Sequence, residues 1–285
     1  MHYTAQEDSP LLDILALLAP QSSKTTLRSW IKESRVTING RLAKRADETV
    51  SAGQKVEVGS KSVFVDDNLR IVYEDDHLVA IEKPEGLLSV ATAFETGNTA
   101  HAVLKKWYRP RKVYVVHRLD QETSGVMLFA LSEKGYHGLK ALFEKHDIER
   151  SYCAIVQGRV SPPAGTWQSY LYEDPNYKVH STDEPEKGRI ATTHYRVVNS
   201  SPRYSRLELK LETGRKNQIR VHCADHHYPV VGDSKYGSTA NPIKRLCLHA
   251  QLIAFIHPVT EKKLRFQSTV PESFDRLIKG KPDNA

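Results

Sequence analysis

Two apolar runs, KVYVV (residues 112–116) and VMLFALS (residues 126–132), read as buried strands, and between them stands the polar stretch HRLDQETSG (residues 117–125). Elsewhere the alternation of apolar and polar positions predicts further strands in SYCAIVQG (151–158), ATTHYRVV (191–198), RLELKLETG (206–214) and LHAQLIAFIHP (248–258). IVYE (71–74) and HLVAIEK (77–83) alternate in the manner of a hairpin around Asp75 and Asp76. Apolar residues recur at helical spacing in TAHAVLKKWYRPR (99–111) and EKGYHGLKALFEKHD (133–147). Most strands are joined by turns rather than by helices, which argues against a doubly wound parallel sheet. The expectation is an α+β fold: a mixed, mainly antiparallel sheet with peripheral helices, preceded by a small α+β domain.

That small domain has its own pattern. In SSKTTLRSWIKESR (22–35), Ser22 or Ser23 can cap a helix that places Leu27, Trp30 and Ile31 on one face. VTINGRLA (36–43) then alternates into a strand and turns at Asn39-Gly40, and ETVSAGQKVEV (48–58) predicts a second short strand pair. The predicted boundaries are a small domain over 1–61, a linker over 62–68, a large domain over 69–275 and a polar tail over 276–285.

With 285 residues, 39% hydrophobic and 26% charged, the chain has enough material for a packed core and no fibrous or disordered character. The apolar stretch LLDILALLAP (11–20) is interrupted by Asp13 and is too short for a membrane span. It also lacks the flanks of a signal peptide, so the expected location is the cytoplasm, with no membrane partner. Three scattered cysteines exclude a disulfide framework. HCADHH (222–227) is the only hint of a metal, and no second ligand pair accompanies it, so no metal is expected. Phosphate-loop, dinucleotide, zinc-protease and serine-hydrolase signatures are all missing. Any chemistry must come from side chains without a cofactor.

The formal net charge of +7 favours a polyanionic partner, and its location sharpens this. Lys24, Arg28, Lys32, Arg35, Arg41, Lys44 and Arg45 face a single acid, Glu33, in one short segment. Taken alone, such a run also fits a solvated helix face. The order of apolar leader, basic helix and RVTINGRLAKRADETVSAGQKVEV (35–58), however, resembles the S4 RNA-binding domain. That resemblance implies RNA contacts from these seven bases.

The stretch 117–125 poses the sharper question. A carboxylate entering a core needs a cation and hydrogen bonds, since an isolated buried charge costs on the order of several kcal/mol. Arg118 lies two residues from Asp120 and, in an extended segment, points the same way. Arg215 and Arg220, in ETGRKNQIRVH (212–222), are other candidates. An ion pair is expected to lower the Asp120 pKa and keep it anionic. By itself the pair also fits a buried structural salt bridge.

The motifs beyond it decide the matter. HRLDQETSGVMLFA (117–130), ERSYCAIVQG (149–158), TGRKNQIRVH (213–222), VVGDSKYG (230–237), LCLHAQLIAFIHP (246–258) and EKPEGLLSV (82–90) resemble the blocks of the RluA family of pseudouridine synthases, in the family's order. The resemblance implies an isomerase acting on RNA, as a monomer, with Asp120 as the essential carboxylate and Arg220 as its partner. It further implies that Arg118 stacks where a flipped uridine has left its helix and that Tyr152 stacks on the flipped base. Lys83, Arg215, Gln218 and His222 are secondary candidates for RNA or loop-shaping contacts. One departure stands out: the family commonly has Thr-His where this chain has Lys216-Asn217. The S4-like segment implies large-subunit ribosomal RNA ahead of transfer RNA. A non-catalytic RNA-binding or assembly factor would need the basic helix but not Asp120, and a metal-dependent hydrolase would need Asp120, His222 and Cys223 together.

Overall fold

The computed structural model describes residues 1–32, 35–39, 41–59, 63–66, 69–92 and 97–280. The chain divides into two compact units, Met1–Phe64 with Arg70–Tyr73, and Val65–Leu69 with Glu74–Ala285.

In the first unit, helices Leu11–Leu18 and Lys24–Lys32 pack with a small sheet around Leu11, Ile14, Leu15, Leu27, Val36 and Val56. Helix Lys24–Lys32 buries Leu27, Trp30 and Ile31 as the spacing predicts. Ser23 caps it, accepting from Thr26 N at 3.1 Å. The strands Val36–Ile38 and Arg41–Leu42 form the expected hairpin; Gly40 of its turn lies outside the described residues. The second strand pair differs from expectation, because Thr49–Val50 and Lys55–Val58 do not pair with each other. Lys55–Val58 instead runs between Val36–Ile38 and His2–Thr4, whereas Thr49–Val50 pairs with Ser9–Pro10. The N-terminal strand, invisible as a pattern over so few residues, takes the place next to Lys55–Val58. Val63–Asp66, inside the expected linker, is a strand, while residues 62, 67 and 68 lie outside the described residues.

The second unit is built on a sheet whose neighbouring strands run Val179–Thr182, Ala164–Glu173, Arg189–Ser200, Tyr204–Leu211, Glu149–Gln157, Leu248–Ile256, Ser124–Ala130 and Leu78–Lys83. Every neighbour in that series is antiparallel except Ser124–Ala130 with Leu248–Ile256, which run parallel with Gly125 opposite Ala250. This is the mixed, mainly antiparallel sheet of the α+β expectation. The parallel crossing needs Gly125: at φ +118° a Cβ there would lie 2.1 Å from the Ala250 carbonyl oxygen.

Helices Ala100–Trp107 and Glu133–Glu144 stand where the spacing places them, capped by Thr99 and Ser132, whose side chains accept from Ala102 N and Gly135 N at 3.0 Å each. Of KVYVV, only Tyr114–Val115 forms a strand, half-buried and paired with Phe129 and Ala130. Helix Glu272–Lys279 carries the packed chain beyond the boundary placed at 275, with Phe274 and Ile278 in the core; residues 281–285 lie outside the described residues. Among the described residues, no helix is long and apolar enough to cross a membrane.

A candidate active site around Asp120

The stretch 117–123 enters the sheet under tight local control. His117 is held neutral, burial pushing its pKa down to about 3, and its Nε2 accepts from Leu128 N at 2.9 Å. Ser89 grips the backbone of Leu119 twice, donating to its carbonyl at 2.6 Å and accepting from its N–H at 3.0 Å. Lys83, with 0% of its surface exposed, donates to the carbonyls of Pro84, Leu87 and Gln121 at 2.9, 2.6 and 2.9 Å. The three donors of an ammonium thus match three backbone acceptors. Burial draws the Lys83 pKa down to about 7, against Asp120 and Glu85, which raise it. Of the two roles expected for Lys83, this is loop shaping, and a phosphate has no access to it.

Leu119 turns into the core, while Arg118 and Asp120 line one cavity of about 340 Å³ together with Asn217, Arg220, Lys216 and Lys235. Residues two apart do point the same way here. Arg118 is exposed on that cavity, and its charge acts on Asp120 from close by. Asp120, with 21% of its side chain exposed, lies 3.7 Å through Oδ2 from Arg220 Nη1.

Arg220 is not primarily the partner of Asp120. Its Nε and Nη2 bond Asp233 Oδ2 and Oδ1 at 2.7 Å each, and Nη2 lies 3.4 Å from Glu122 Oε2. Its guanidinium also sits 5.2 Å from the centre of the Tyr236 ring. Burial opposes the charge on Arg220, but hydrogen bonds and attraction from Asp233 outweigh it and raise the pKa. The expectation of a lowered Asp120 pKa is corrected. Burial pushes this carboxyl above its ordinary range, and Arg220 and Arg118 only partly offset that rise. Arg220 gives the larger part of that offset although its short bonds go to Asp233.

Asp120 has another partner that its neighbours in sequence did not suggest. With its amide turned so that nitrogen rather than oxygen faces the carboxylate, the orientation that gives both ends of the amide a complementary partner, Asn217 donates through Nδ2 to Asp120 Oδ2 at 2.8 Å and Oδ1 at 3.2 Å, and its oxygen accepts from Tyr236 Oη at 3.0 Å. Asn217 precedes helix Gln218–Asp225 in a left-handed conformation, φ 54° and ψ 17°.

The remaining candidates separate. Tyr152, half-buried on strand Glu149–Gln157, packs against the core, and burial raises its pKa with Asp120 adding to the rise. Arg215 donates to Ile190 O at 3.0 Å and lines a different cavity, beside Arg189 and Lys187. Gln218 is buried and fully engaged: it accepts from Thr213 Oγ1 and Arg215 N and donates to Thr192 O and Thr193 Oγ1. An RNA contact for it is therefore corrected to a structural one. His222 is corrected likewise, since its ring nitrogens pair with Thr193 Oγ1 at 2.9 Å and Ser169 Oγ at 3.1 Å, and burial lowers its pKa to about 4. Among the described residues, no group of three His, Cys, Asp or Glu side chains forms a metal cluster.

Of the seven bases in the first unit, Lys24, Arg28, Lys32, Arg41, Lys44 and Arg45 are exposed. Arg41 pairs with Glu48 at 2.7 Å, and Arg45 donates to Asp47 at 2.9 Å. Arg35 lies over Trp30 at 4.9 Å and donates to Gly59 O at 3.1 Å.

In the sequence, Asp233 stands in VVGDSKYG without a signal for its role, and Asn217 stands out only as a departure from the family's usual Thr-His. An Asp next to Gly232 in a turn, thirteen residues past Arg220, gives no periodic signal. Lys216 and Lys235, which line the same cavity and both reach Tyr177 O at 3.3 Å, were missed for the same reason.

Comparison with known proteins adds the family. Residues 77–225 match the model described as RNA pseudouridylate synthase. The chain is similar to the ribosomal large subunit pseudouridine synthase D of Escherichia coli O157:H7, with 31% identity over 93% of this chain and 88% of that protein. It is similar to the protein of the same description from Xanthomonas campestris, with 33% identity over 93% and 86%. Among solved structures it resembles human RNA pseudouridylate synthase domain containing 4, with a TM-score of 0.60 and 25% identity over 74% of this chain and 92% of that one.

Proposed function

The chain belongs to the RNA pseudouridylate synthase family and is an isomerase of uridine to pseudouridine in RNA; from that premise we propose that its substrate is large-subunit ribosomal RNA and that Asp120 is the reacting carboxylate. The observation that carries the proposal is Asp120 itself, lining an open cavity with Arg118 while Asn217 and Arg220 hold it from behind.

The reaction breaks the N1–C1′ bond, turns the uracil and joins C5 to C1′; the C5 proton is lost and N1 gains one, so atoms balance without a cofactor. Asp120 acts at the ribose, either attacking C1′ or removing a sugar proton to give a glycal. Both routes need the anion. A stacked uridine must leave its helix to enter the cavity, at a cost on the order of a few kcal/mol. Arg118, exposed on the cavity, offers a planar guanidinium to the vacated space. Tyr152, on strand Glu149–Gln157, is assigned to the face of the flipped base.

The first unit, S4-like in its sequence order, supplies the surface of Lys24, Arg28 and Lys32 for the RNA backbone. The rRNA assignment rests on this surface and on the relatives described as large-subunit enzymes. It carries a cytoplasmic location with it. Mapping pseudouridines in cells with and without the protein tests the substrate: sites should vanish from large-subunit ribosomal RNA, and a loss confined to transfer RNA would contradict the proposal.

A further inference from the structure

The hydrogen bonds behind Asp120 run in one direction. Val179 N–H donates to Tyr236 Oη at 3.2 Å, so the phenol hydrogen points elsewhere, toward Asn217 Oδ1 at 3.0 Å. With its oxygen thus engaged, Asn217 presents Nδ2 to both carboxylate oxygens of Asp120. Each member donates to the next, and the series ends on Asp120.

This series favours the ionised form of Asp120. As a carboxylate it accepts from Nδ2 on both oxygens, whereas protonation turns one of them into a hydroxyl and leaves the other with an ordinary neutral bond. The amide donor therefore binds the anion more strongly than the acid.

We propose that Asn217, backed by Tyr236, is a positioning residue that fixes the Asp120 carboxylate and holds it in the anionic form the isomerisation requires. The inference rests on the reading of Asp120 as the reacting group. The backbone points the same way. A residue preceding a helix ordinarily turns its side chain back to accept from the first turn, but the Asn217 side chain makes no such cap and goes to Asp120 instead. Its left-handed conformation is one that Asn tolerates better than most residues.

Arg118 from its own loop, Lys83, Tyr152, Arg220 and Asp233 from the surrounding elements also act on Asp120, with Glu122 beside Arg220. The cation attracts Asp120 from 3.7 Å while its shortest bonds go to Asp233, and the neutral amide adds the closer contacts at 2.8 and 3.2 Å.

The test is the pH dependence of single-turnover pseudouridine formation at saturating RNA. Asn217→Gly keeps the left-handed backbone and removes the donor; the acid limb should move up by about one to two pH units with RNA affinity unchanged. Tyr236→Phe should shift it in the same direction by less, and Asn217→His, which restores a ring donor, should bring it back toward the parent. An Asn217→Gly rate lowered equally at every pH, or an unshifted limb, overturns the inference. Tyr236→Phe decides in the same way if Asn217→Gly does not fold. An active Asp120→Asn would overturn the underlying reading, whereas an inactive Asp120→Asn with an unshifted Asn217→Gly profile would overturn this inference alone.

Discussion

Arg220 and Asp233 form a buried two-point ion pair, with both nitrogen–oxygen distances at 2.7 Å, and Asp120 lies beyond it at 3.7 Å. Removing the arginine leaves Asp233 buried and unpaired, so Arg220→Met should lower the unfolding free energy by about 3–5 kcal/mol. Adding Asp233→Asn should restore part of that stability without restoring activity, since Asp120 still lacks its cation. Denaturant unfolding and a turnover assay on both variants check this; activity returning together with stability would reduce Arg220 to a structural role.

Lys83 makes stability depend on pH. Its folded pKa of about 7 lies below the ordinary 10.5, so the unfolded chain holds more protons between these values. The penalty for folding with this group charged is full below pH 7 and fades as pH rises through that window, so its contribution to stability rises. Lys83→Met should therefore show a smaller increase of stability from pH 7 to 10 than the parent. Equal slopes in urea titrations would show that Lys83 does not titrate there.

On helix Lys24–Lys32, the exposed Lys24, Arg28 and Lys32 should each neutralise a phosphate. Changing all three to Gln should weaken RNA binding and flatten the plot of log affinity against log salt by about 0.7–0.9 per lost contact. An unchanged slope means that this face meets only solvent.

Arg118 has two roles to distinguish. If it fills the space of an extruded uridine, Arg118→Ala should lose more activity on a target inside a folded helix than on the same uridine in an unstacked loop, where less extrusion energy must be offset. If it chiefly supports the charge of Asp120, both RNAs should suffer equally and the acid limb should rise. Rates on the two RNAs across pH separate the outcomes.

The strands and the helices Ala100–Trp107 and Glu133–Glu144 were legible because each follows a period: SYCAIVQG and LHAQLIAFIHP alternate or run apolar, and residues 99–111 and 133–147 repeat their apolar positions at helical spacing. Helix Gln218–Asp225 was not, because it is buried from Gln218 to Cys223 and so shows no apolar stripe. Gln218 and His222 looked like ligands for RNA because their polarity is satisfied mostly by Thr192, Thr193 and Ser169, partners far away in sequence, with Thr213 the one near neighbour. Arg118 and Asp120 were readable from adjacency on one loop. The exchange of Arg220's main bond to Asp233, and the raised rather than lowered carboxyl of Asp120, depend on which groups converge in space and on how little water reaches them.

The most direct test of the account is Asp120→Asn, which keeps the size and most of the shape of the side chain and removes its charge. The measurement is single-turnover formation of pseudouridine on a large-subunit ribosomal RNA fragment, with binding of the same RNA measured in parallel. The account predicts no detectable product and an affinity close to the parent's; appreciable turnover by this variant would contradict it.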